Sequence, residues 1–98
     1  MISTKADFAR KIEDGEIKVM ALCEYKVLMD GEFKSAILRT AEVRRRTVLS
    51  ANETHISLAN VNNDVSFLSW DGDWDFSGHR LTITTNEVIA VYVVNPLF

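Results

Sequence analysis

Both tryptophans of this chain and three carboxylates fall within one six-residue stretch, Trp70-Asp71-Gly72-Asp73-Trp74-Asp75, and Phe76-Ser77-Gly78-His79-Arg80 continues it. Exposed aromatic area rimmed by charge is the usual composition of an interface hot spot. The contact set predicted on that basis is Trp70, Asp71, Asp73, Trp74, Asp75 and Phe76. Its acids suit a basic partner, such as a nucleic-acid-binding protein whose groove the segment occupies. A competing reading folds Trp74 and Phe76 back as a plug for an open barrel end and leaves the aspartates as solvated turn formers. Burial is the commoner fate of tryptophan, so the plug ranks first. Asp71, Asp73 and Asp75 also have the spacing that opens an EF-hand loop. That loop needs Gly at its sixth position and Glu at its twelfth, where this chain has Phe76 and Thr82.

The one basic cluster is Arg44-Arg45-Arg46, with Lys34 and Arg39 nearby. Its functional reading is a set of phosphate contacts in a small nucleic-acid-binding module. Strand alternation opposes this by turning Arg45 away from Arg44 and Arg46. A charged edge strand that blocks sheet-to-sheet aggregation accounts for the triplet equally well.

Catalytic constellations are thin. Cys23 falls on an apolar alternating face, which predicts a buried, inert thiol. His55 alternates outward from Ile56 and Leu58, and His79 belongs to the acidic segment. There is no G-x-S-x-G, no phosphate-cradling glycine loop and no HExxH. One cysteine with two histidines is a poor metal inventory. The expectation is a protein that is not an enzyme and carries no cofactor or metal.

The elements that must position these residues begin with a helix over 4–14. Thr4 caps it with Asp7 three residues on, Phe8 and Ile12 share a face, and Gly15 ends it. From Ile17 to Met29 every odd position is apolar, a period-two strand predicted to bury its odd face. Its thirteen residues would exceed about 40 Å if straight, so a bend or bulge is expected. Asp30-Gly31 makes a type I′ hairpin turn that pairs Met29 with Glu32 and Tyr25 with Ala36. Further strands are predicted over 43–49, 54–58, 65–70, 81–85 and 88–94, the last buried on both faces, with 71–78 a loop. The fold class that results is α+β: one short N-terminal helix packed on a curved, mostly antiparallel sheet or small open barrel of about six or seven strands. One domain is expected over 1–98, with the β region over 16–95.

The totals agree with a globular domain: 98 residues, 47% hydrophobic, 26% charged and a net charge of −3. That balance excludes the basic excess of a typical nucleic-acid binder. The start, Met1-Ile2-Ser3-Thr4-Lys5, has no signal-peptide h-region, and a lone Cys23 cannot close an intrachain disulfide. These features lead to the expectation of a cytoplasmic, reduced protein with no membrane partner; a further alternative is a self-assembling structural phage protein that pairs copies through the edge of the long alternating strand or through Val88–Val94. Asn52-Glu53-Thr54 fits a glycosylation sequon but reads as a turn in that setting.

In general character, the abrupt helix over 4–14 followed by β structure without catalytic motifs resembles the small stand-alone accessory proteins of phages and mobile elements, anti-CRISPR inhibitors among them. The resemblance implies a non-catalytic protein that binds and blocks a host macromolecule. It carries no site residue over.

Overall fold

The computed structural model describes residues 2–38, 44–60 and 62–95. It contains helix α1 (Lys5–Glu13) and strands β1 (Val19–Met29), β2 (Glu32–Ser35), β3 (Arg46–Ala51), β4 (His55–Ala59), β5 (Val65–Ser69), β6 (Asp73–Ser77), β7 (Arg80–Thr84) and β8 (Val88–Val94). All pairings are antiparallel, in the order β5-β4-β3-β1-β8-β7-β6, with β2 attached to β1 beside that path. Among the described residues the sheet thus has eight strands, not six or seven, and does not close into a barrel. Among the described residues, no helix is long and apolar enough to cross a membrane.

Helix α1 starts where the capping chemistry places it. The Asp7 amide donates to the Thr4 hydroxyl at 3.1 Å and the Thr4 amide to the Asp7 carboxylate at 3.2 Å. The Thr4 hydrogen bond, ahead of the others, holds the Asp7 carboxyl below its ordinary pKa. Gly15, at φ +77°, ends the helix in the left-handed conformation. Lys11 pairs with Glu16 at 2.8 Å across that turn, and this raises the lysine's pKa. Phe8 and Ile12 are buried, each contributing about 1.5–3 kcal/mol relative to exposure, and α1 packs chiefly on β3.

The Asp30-Gly31 turn holds, with φ +53° and +81°, and pairs Met29 with Glu32 and Leu28 with Phe33. The Ala36 amide donates to the Tyr25 carbonyl at 2.8 Å, as that register requires. The expected irregularity in the long strand is a bulge: Leu22 pairs with Tyr92 and Glu24 with Val91, leaving Cys23 unmatched. A bulge reverses the parity of the faces. Met20 and Leu22 therefore share the core face with Tyr25 and Val27, and Cys23, expected in the core, is exposed. The odd-numbered apolar series is two half-patterns joined at the extra residue.

Strands β5 and β6 are the two ends of the sheet, yet three residues, Trp70-Asp71-Gly72, connect them. Laid flat, six strand spacings of about 4.8 Å would separate them by about 29 Å. The connection spans at most about 15 Å, four Cα steps of about 3.8 Å. The sheet must curl until its ends approach at Trp70. The concave face receives Phe8, Ile12, Ile17, Met20, Val48, Ile56, Leu58, Trp70, Leu81, Ile83 and Val94 as one core cluster. Beyond β8, Asn95 (φ +51°) accepts through its side-chain oxygen from the Lys18 and Val19 amides at 2.8 and 3.2 Å. Its amide nitrogen donates to the Glu16 carbonyl, fastening β8 to the entry of β1.

Candidate functional site

Residues 71–78, expected as a loop, include strand β6. Asp-Trp-Asp-Phe-Ser alternates, and pairing of Trp74 with Ile83 and Phe76 with Leu81 outweighs the low strand propensity of aspartate. Trp70 is fully buried and donates through Nε1 to the Asn52 carbonyl at 2.7 Å. Its ring lies 5.3 Å from Phe8, edge-on, and 5.4 Å from Trp74. Lys5 sets its ammonium 5.3 Å over the same ring and donates to the Glu53 carbonyl at 2.7 Å. Phe76 stands 5.7 Å from Phe8; it and Trp74 are half-buried against the core. Gly72 permits the crossing between the sheet ends, since a Cβ there would fall 2.7 Å from the Thr84 carbonyl oxygen.

Asp71, Asp73 and Asp75 are exposed. Asp73 and Asp75 sit on the outer side of an end strand that pairs with β7 and with no other strand among the described residues, and Asp71 precedes that strand in the connection from β5. None of the three is in a salt bridge there, and no three metal-ligating side chains gather. The arrangement offers a row of acids beside free backbone N–H and C=O groups, on a strand anchored from behind by two aromatic side chains.

The basic cluster is divided. Lys34 is exposed on β2, Arg44 and Arg45 are exposed ahead of β3, and Arg39 lies outside the described residues. Arg46 opens β3, half-buried and paired with Met20. That strand lies between β1 and β4, so the expected charged edge strand is an interior one. Its charges stop at Arg46, and the apolar Val48 that follows packs in the core.

Arg44 and Arg46, but not Arg45, line a cavity of about 350 Å³ together with Met20, Leu22, Tyr25 and Tyr92. Burial pushes the Tyr92 phenol up to about 12; the Arg46 charge pulls it down and Tyr25 adds to the rise. Sequence reasoning placed Arg44 and Arg46 on one face but missed both tyrosines. Only the bulge, invisible in the alternation, brings Tyr25 to the face of Leu22 and Tyr92.

The remaining candidates stand apart. Cys23 is exposed, with Arg80 Nη1 at 3.9 Å from Sγ. His55 is exposed, its Nδ1 2.8 Å from the Thr54 hydroxyl, and His79 is exposed at the β6–β7 turn. No protein-family model matches the chain, and neither the curated proteins nor the solved structures contain a match.

Proposed function

We propose that this chain is a non-catalytic binding protein that inhibits or modulates a host macromolecule, with the free edge of β6 as its contact surface. The observation that carries the reading is the position of Asp73–Ser77 at the end of the sheet, with Asp73 and Asp75 turned out and Trp74 and Phe76 turned in. An end strand with unpaired backbone groups accepts an added strand from a partner, and its outward acids select a basic one. Asp71 extends the acidic row. The aromatics serve here as anchors that keep the edge rigid, which lowers the ordering cost of binding. The resemblance to small mobile-element inhibitors supports action by occupancy, not turnover.

The test is capture from a host lysate with the Asp73→Lys, Asp75→Lys double variant beside the wild type, folding checked by circular dichroism. The partner retained by the wild type should be lost by the double variant and kept by Lys34→Glu, which changes charge away from β6. Undiminished capture by the folded double variant would remove β6 from the interface.

A further inference from the structure

We propose that the cavity beside β1 is a binding site for a small amphiphilic anion of the fatty-acid type, held by Arg44 and Arg46 with its hydrocarbon body against Leu22, Ile37 and Leu38. The site follows from how β1 is paired. On one side it runs along β8 for its whole paired length. On the other, β2 covers Lys26–Met29 and β3 covers only Val19 and Met20. The Ala36 amide continues the β2 side to the Tyr25 carbonyl, and among the described residues no strand pairs residues 21–24 on that side, so the sheet divides there.

The Cys23 bulge then determines what faces the division. It puts Leu22 and Tyr25 on one face, and Tyr92, cross-strand from Leu22, joins them. Arg44 and Arg46, two apart, arrive from the β3 side, and Ala36, Ile37 and Leu38 from the β2 side. Among the described residues, the ionisable groups of this lining are two guanidiniums and two phenols, and no carboxylate, amide or imidazole side chain joins them. A phenol is protonated through the physiological range, so Tyr92 stands in the lining with Arg46 as a neutral hydroxyl. Such a lining suits one anionic head, which guanidinium binds by charge-assisted hydrogen bonds. For a nucleobase edge or a sugar its described side chains supply only the two phenol oxygens as acceptors. The other described lining side chains are apolar. At about 30 Å³ per water-sized group the cavity holds about a dozen heavy atoms, the size of decanoate.

The site is independent of the β6 edge, so either proposal survives failure of the other. Its test is calorimetric titration of the full chain with decanoate, octanoate, decanol, inorganic phosphate and a ten-residue oligothymidylate. Decanoate should bind one to one. Octanoate should bind about fifteenfold more weakly, at about fourfold for each lost methylene. Decanol should be at least about tenfold weaker than decanoate, since it lacks the charge. Arg46→Met should reduce decanoate affinity about tenfold or more and leave decanol unchanged, a split that general loss of structure would not give. Arg44→Met serves if Arg46→Met does not fold. Absent decanoate binding, equal affinity for decanol, or an oligothymidylate or phosphate that binds where decanoate does not would each overturn the assignment. Glu42, outside the described residues, is the nearest acid in sequence to Arg44. Decanoate binding confined to Glu42→Gln would also overturn it, because the guanidiniums would then serve this chain's own carboxylate.

Discussion

Replacing Trp70 by phenylalanine separates an anchor from a contact residue. The indole is fully buried, clamped between Phe8 and Trp74, and bonded through Nε1 to the Asn52 carbonyl. Phenylalanine keeps an aromatic edge for Phe8 but removes that hydrogen bond, at about 1 kcal/mol. The smaller ring also leaves part of the site unfilled, which costs about 1–2 kcal/mol more. The expected loss of about 2–3 kcal/mol is a large share of the roughly 5–15 kcal/mol that holds a domain folded. In a chain of this size it corresponds to a melting-point drop of about 10–20 °C. Urea unfolding followed by circular dichroism should show a lower midpoint at unchanged slope. Asp73→Asn, exposed and unpaired, should stay within about 0.5 kcal/mol of wild type. A Trp70→Phe midpoint equal to wild type would refute the anchor assignment.

Two further predictions concern the fastenings of the sheet. Asn95→Ala removes the acceptor of the Lys18 and Val19 amides and the donor to Glu16, and should cost about 2 kcal/mol in urea unfolding. Asn95→Asp, which keeps the acceptor, should cost less than Asn95→Ala. Tyr92 ionises near 10 when unfolded and at about 12 when folded, so between those values the native state binds the extra proton. Stability should therefore fall as pH rises from 10 to 12, by up to about 2–3 kcal/mol. Tyr92→Phe should flatten that slope, and an unchanged slope would contradict the burial assigned to this phenol.

The parts of the fold governed by local chemistry were legible in the sequence. The Thr4–Asp7 capping box and the Asp30-Gly31 turn are each specified by residues a few positions apart, and both appear in the expected geometry. What escaped depends on distant partners. The Cys23 bulge preserves the apolar count of β1 while reversing which residues face inward, so unbroken alternation concealed it. Asp71-Gly72-Asp73 reads as turn chemistry, yet Asp73 begins a strand because Thr84, Ile83 and Leu81 are there to pair. The alternation of Trp74 and Phe76 with Asp73 and Asp75 was the available signal. Tyr25 and Tyr92, far apart in sequence, meet Arg46 only after β1 and β8 have paired.

The three-residue bridge between the ends of the sheet has a consequence for how the chain is assembled. Strands β3, β4 and β5 form one ladder of sequence neighbours and β6, β7 and β8 another, so each can zip locally. Among the described residues the two ladders are joined on the other side only through β1, which precedes the other described strands in the chain and whose long partner β8 follows them. Loop closure over that separation is the slow kind of contact to form. During synthesis the core-facing residues Met20 and Leu22 therefore wait for residues 88–94, with an unsatisfied strand edge that can be sealed by a chaperone, by a neighbouring copy, or by β8 when it arrives.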